Sequence, residues 1–231
     1  EILTETYSVN SNFYVFFLNF TAILSFEPMN GAFGGINPII DKCMKQTFTL
    51  RFGVIAALIF IAALSRMIPH PYNFTPLMAI SLFGAAHFSN KWQALMIPLL
   101  ATWLSDLFIN NVLYQSSEFV WVYEGFYWQY STYFLTTVLG LFLLKKINVS
   151  RVLGGSLIAA LLFFAVSNFG VWAGSTTYPH NITGLMTCYT AGIPFFGGTL
   201  LGNLFYCGAL FGVFHVLQHR WDEIKLPIQP N

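Results

Sequence analysis

Charge is what this chain has least of. Only 8% of its 231 residues are Asp, Glu, Lys or Arg, against about 25% in an ordinary soluble domain. So few charges cannot cover a water-facing surface, and with 56% apolar residues the surplus of Leu, Phe, Ile and Ala has to face lipid. The formal net charge is +1, which leaves no electrostatic footprint for nucleic acid. Cysteine is sparse as well. Cys43, Cys188 and Cys207 are scattered, with no CxxC or Cys/His metal spacing, and imply neither a disulfide framework nor a zinc site. Walker, GxSxG, HExxH and GxGxxG motifs are all missing. The chain therefore has no recognisable route to ATP hydrolysis and no visible activated nucleophile, and a membrane enzyme is the weakest reading of it.

What is present is a series of apolar runs. A membrane crossing by a helix needs about 20 mostly apolar residues. Candidates are Phe48–Ser65, Pro76–Phe88, Trp92–Leu113, Phe126–Leu144, Val152–Trp172 and a stretch within Tyr189–Leu217. The second has 13 residues, short for a full crossing, and a re-entrant half-helix is the alternative. Basic residues argue for a crossing. With six crossings and the first starting inside, Lys45, Arg51, Lys91, Lys145, Lys146, Arg151, Arg220 and Lys225 share the inner side, while Arg66 alone is outside. Cytoplasmic segments carry this excess of Lys and Arg. The expected architecture is all-α: an integral membrane bundle of six transmembrane helices with both core termini inside, in a bacterial inner membrane.

Residues 1–43 stand apart, with one apolar run of 14 residues, Phe13–Phe26, and then a polar, Gly-containing stretch. Met44-Lys45-Gln46-Thr47 reads as a fresh start: a short basic lead into an apolar helix. The sequence thus divides into an N-terminal appendage (1–43), a six-helix domain (44–220) and a cytoplasmic tail (221–231). A membrane-dipping element is the competing reading of the appendage.

Chemistry-bearing residues gather toward the outer side. Asp106 lies some 14 residues into the third run, roughly 21 Å from its inner end at 1.5 Å per residue. A carboxylate at membrane depth is costly and usually faces the bundle interior with a partner. Asn110 is one turn farther on the same face, and Arg66 ends the first helix at a similar level. An Asp106–Arg66 pair is either a clamp between helices or part of a binding site, and both can hold together. Pro69, Pro71 and Pro76 stiffen the next loop, which presents His70, Tyr72 and Asn73. Ser167, Asn168 and Trp172 close the fifth helix, and Tyr178-Pro-His180-Asn181 follows in the Ala173–Cys188 loop. A rigid turn explains either loop without a ligand. Two His residues on one side with Cys188 nearby raise metal coordination, although no known metal spacing is matched. Trp121, Tyr123, Tyr127 and Trp128 read as interface anchors.

Small residues recur at four-residue spacing: Gly53 and Ala57, Ser156 and Ala160, Gly198 and Gly202, Gly208 and Gly212. Such pairs let helices approach closely, within the bundle or against a partner.

The runs Arg66-Met-Ile-Pro-His-Pro-Tyr-Asn-Phe-Thr-Pro-Leu, Leu104-Ser-Asp106-Leu-Phe, Ser167-Asn-Phe-Gly-Val-Trp172 and Tyr178-Pro-His180 resemble a family of small bacterial inner-membrane proteins of uncharacterised function. That family is similar to the substrate-binding S components of energy-coupling-factor (ECF) vitamin transporters. The resemblance covers about Met44 to Arg220, and its second step rests on size, helix number, topology and the polar outer face. It implies a non-catalytic subunit that captures a vitamin or micronutrient at its outer face through Arg66, His70, Asn73, Asp106, Asn110, Asn168, Trp172 and His180. It also implies docking to a membrane scaffold with two ATPases, through small residues on the first helix: Gly53, Ala56, Ala57, Ala62 and Ala63. Cobalamin is one candidate for the transported ligand, though no cobalamin-type motif surrounds Cys188. The alternative is an accessory subunit of a larger membrane complex.

Overall fold

The structure is a computed structural model and describes residues 38–114, 118–174, 176–221 and 224, with side chains from Leu50 onward. The Phe13–Phe26 run and nearly all of the 221–231 tail lie outside the described residues. The chain divides into two units, residues 1–44 and 45–231, and the second carries the bundle considered below.

Among the described residues there are six α-helices and no strands: α1 (Pro38–Leu64), α2 (Leu77–His87), α3 (Lys91–Phe108), α4 (Phe126–Leu143), α5 (Val149–Gly174) and α6 (Ile182–Arg220). A single 3₁₀ turn, Ser65–Met67, ends α1, and a π-helical turn, Ile109–Leu113, extends α3. Four stretches are long and apolar enough to cross a membrane: Leu50–Met67, Lys91–Leu113, Val149–Gly174 and Ile182–Arg220. The chain is a helical membrane protein.

Contacts place the ends of the helices at two levels. At one, which we call the lysine end, Phe52 stacks on Phe88 at 5.5 Å and the Arg51 guanidinium lies 5.1 Å from the Phe214 ring. At the other, the arginine end, Ser65 shares a hydrogen bond with Tyr206 (2.8 Å), and Arg66 meets Asp106. The chain thus climbs from Phe52 to Arg66 and returns to Phe88, although α2 alone is only about 16 Å long. The extended residues around the prolines make up the remaining distance.

The short helix α2 is the hub. Every residue except Ala86 is buried, as suits a helix that is apolar all round. Gly84 crosses α3 at Pro98, where an added Cβ would lie 2.8 Å from the ring. Proline lacks the N–H that would engage the carbonyl one turn back, and Gly84 packs over that Ala94 carbonyl. On another side Gly140 of α4 meets Ala85, with an added Cβ 2.7 Å away. Phe83 packs edge-on against Phe211 and Phe214 of α6. Between α5 and α6 the buried Asn203 donates to the Ser156 carbonyl (2.7 Å), and Ser156 and Ala160 are buried.

One expectation needs correction. The loop read as Ala173–Cys188 is shorter, because α6 already begins at Ile182. Asn181 caps it by accepting from Gly184 N–H (2.9 Å), and the hydroxyls of Thr187 and Thr190 bond back to carbonyls one turn earlier. Threonines whose hydroxyls are satisfied in this way are tolerated inside a helix, one that apolarity alone does not reveal. The small-residue pairs divide. Gly198 and Gly202 seat backbone closely, whereas Gly53, Gly208 and Gly212 have nothing within 4 Å of an added Cβ. Gly53 and Ala57 face outward on α1.

Candidate functional site

The arginine end holds a buried polar network. Arg66, delivered by the 3₁₀ turn after α1, donates through Nη1 to Asp106 Oδ1 (2.6 Å) and to Ser105 Oγ (2.7 Å) on α3. Tyr130 of α4 donates its hydroxyl to Asp106 Oδ2 (2.8 Å). Both carboxylate oxygens are thus engaged, and three helices meet at one ion pair whose side chains are 14% and 9% exposed. Around it, Tyr123 and Tyr133 both donate to Gln129 Oε1, at 2.9 and 3.3 Å. Burial, and then the charge of Asp106, holds the Tyr123 phenol above its usual range, with Arg66 opposing, so it stays a neutral donor. Trp128 lies across Gly170 of α5, and its indole N–H is buried without an acceptor among the described residues.

The proline loop is seated on α6. An added Cβ at Gly198 would strike the Tyr72 carbonyl, and one at Gly202 would lie 2.9 Å from Phe74 Cα. Asn73 takes the left-handed conformation at φ 60°, one that Asn tolerates better than most residues. Phe74 packs against Phe205 and Tyr206. His70 is exposed, and its Nδ1–H donates to Ile68 O (2.7 Å).

The α5–α6 connection is locked by its own residues. Trp172 Nε1–H donates to Pro179 O (3.0 Å), and His180 Nε2–H donates to Trp172 O (3.0 Å). Their rings meet edge to face at 5.5 Å. Asn168 donates to Phe164 O (2.8 Å) and faces Gly192. Cys188 is buried and donates to Asn168 O (3.4 Å).

Of the eight residues read as a pocket, Arg66 and Asp106 come together directly. Asn168, Trp172 and His180 form a second group, held by the α5–α6 turn. His70 and Asn73 sit in the proline loop, and Asn110 lies in the π-helical turn beyond Asp106. Among the described residues no group of three His, Cys, Asp or Glu side chains could hold a metal ion. Two surface hollows, of about 450 and 290 Å³, are lined by other residues: Thr183 to Ala191 on α6, and the α3–α4 groove at Lys91.

The sequence reading missed Ser105, Tyr130 and Tyr133, and it took Tyr123 for a lipid anchor. The signal was Gln129-Tyr-Ser-Thr-Tyr133, a polar run inside an otherwise apolar helix. It also missed Asn111, whose side chain accepts from Val120 N (2.7 Å) and donates to Val120 O (2.9 Å), pinning the α3–α4 loop to α3.

No curated protein and no solved structure matches the chain. Residues 46–225 match a family of unknown function, DUF6580. That span covers the bundle from within α1 onward, with its polar end, and the chain belongs to this family.

Proposed function

We propose that this chain is a substrate-binding membrane subunit, S-component-like, that captures a vitamin or micronutrient on the outer face of a bacterial inner membrane. Each of the six helices is taken as a crossing, with the lysine end inside, which puts Lys91, Lys145, Lys146 and Arg151 in the cytoplasm. The observation that carries the reading is the concentration of polar groups at the opposite end of an apolar bundle. Arg66, Asp106 and Tyr130 engage one another there, and so they build the frame. His70 is exposed in the proline loop, and the Trp128 indole N–H, on the ring that covers Gly170, is unanswered among the described residues. A buried donor left unpaired costs about 1–3 kcal/mol. Gly53 and Ala57, open on α1, fit the docking face that the S-component resemblance implies for a scaffold with ATPase subunits. No catalytic step is assigned.

The test is thermal unfolding of the detergent-purified protein against a vitamin panel that includes cobalamin, with His70→Ala beside the wild type. A panel member that raises the wild-type midpoint, and does so less for the variant, supports capture. A panel that leaves the wild type unmoved counts against it.

A second reading is an accessory subunit of a larger membrane assembly, which fits the apolar surface left on α5 and α6, where Leu157, Leu161, Leu201 and Phe205 are exposed. Co-purification separates the two readings. A constant stoichiometric complex without ATPase subunits supports the accessory role.

A further inference from the structure

At the lysine end, α3 and α4 run side by side and leave a groove of about 290 Å³ between them. Its walls are Trp92 and Leu95 from α3 and Phe134, Val138 and Leu141 from α4. Thr137 lines it too, but its hydroxyl donates to Tyr133 O (3.0 Å) and is removed from use. The groove is therefore apolar along its length. Its volume lies at the lower edge of the ~300–1,000 Å³ typical of small-molecule pockets, which suits a stretch of one acyl chain better than a whole solute.

The mouth is different. Lys91, exposed, stands there, and it is the first residue of the 18-residue helix α3. A helix N-terminus carries partial positive charge; here Asn90 Oδ1 already accepts from Trp92 N–H (2.8 Å), so the terminus adds its field and Lys91 supplies the contact. Lys145 and Lys146 follow the end of α4 and are exposed, but the Lys145 ammonium lies over the Phe142 ring (5.7 Å), so Lys91 is the cation that lines the groove. Trp92 is 60% exposed at the same level, the place where an indole settles between headgroup and acyl chain. Cation, helix terminus, indole and apolar slot thus follow one another in the order of the parts of a phospholipid.

We propose that the α3–α4 groove binds one anionic glycerophospholipid, with its phosphate at Lys91 and one acyl chain along Trp92, Leu95, Val138 and Leu141. The site does not depend on solute capture, because none of its lining residues belongs to the polar network.

The test uses the full chain purified in detergent, with binding followed by native mass spectrometry. Dioleoylphosphatidylglycerol and dioleoylphosphatidylcholine, which share their acyl chains, are compared. The expected result is preferential retention of the phosphatidylglycerol. Lys91→Gln weakens that binding by about fivefold, the effect of one lysine near an anionic headgroup. Val138→Trp, which fills the slot, removes retention of both lipids. Lys91 is exposed, so its variant keeps the fold, and the unliganded melting temperature of each variant checks this. Equal retention of the two lipids overturns the proposal, as does phosphatidylglycerol binding unchanged in both variants. Glycerol 3-phosphate, the headgroup chemistry without chains, is expected not to bind. If it binds as tightly as the lipid, the site is a phosphate site and the groove plays no part.

Discussion

At the residue scale, Asp106 explains most about this protein. Both its oxygens are engaged, one by Arg66 and one by Tyr130, so its removal strands a buried guanidinium. Breaking a buried pair from one side costs roughly 3–5 kcal/mol. Asp106→Ala is therefore expected to lower the unfolding midpoint sharply in detergent, while the double change Arg66→Met with Asp106→Leu recovers much of the loss. A double variant as unstable as the single one would contradict the clamp. Tyr130→Phe removes one hydrogen bond to a charged acceptor, and an equilibrium unfolding titration should read a cost of about 1.5–3 kcal/mol. The Arg66–Asp106 pair was legible in sequence because two opposite charges at one membrane depth have few other partners. Tyr130 was not, since a tyrosine near a membrane interface has an ordinary anchoring role. Nor was the use of Trp172 and His180, whose bonds run to backbone carbonyls of their own turn, a matter of loop geometry.

At the element scale, α2 sets the architecture. It is buried on all sides, and glycine is required where it touches its neighbours. Overpacking a close contact costs about 1–3 kcal/mol. Gly84→Val, pushed into Pro98, should lower the melting temperature, whereas Gly212→Val, in open space, should leave it unchanged. Equal effects would mean that α2 and α3 do not cross at Gly84. Asn181→Ala removes the cap of α6 and should cost about 1 kcal/mol, with faster amide exchange confined to the first turn. The six helices were legible as apolar runs between charged or proline-rich breaks, except that α1 begins at Pro38, inside the polar stretch assigned to the appendage. The start of α6 was not, because Thr183, Thr187 and Thr190 interrupt the apolarity while remaining helical through bonds to their own backbone. The π-helical turn after Phe108 also leaves no periodic trace that hydropathy could detect.

At the scale of the whole molecule, the two ends of the bundle differ in chemistry. One collects Arg66, Asp106, three tyrosines and two histidine-bearing loops, and the other collects exposed lysines. Helices that alternate in direction bring residues distant in sequence to the same end, which is why one pocket-like set was read from scattered motifs. Whether those residues converge depends on loop conformation. The loops direct His70 and His180 to nearby carbonyls, and the resulting solute site would be framed, rather than filled, by the ion pair. In the proposed topology the polar end is outside and the lysine end inside. Labelling with a membrane-impermeant maleimide in intact cells tests this directly, with Cys43, Cys188 and Cys207 replaced by Ser and one cysteine introduced at a time. His70→Cys is expected to label from outside, and Lys145→Cys only after permeabilisation. Labelling of both from outside, or of Lys145→Cys alone, would contradict it.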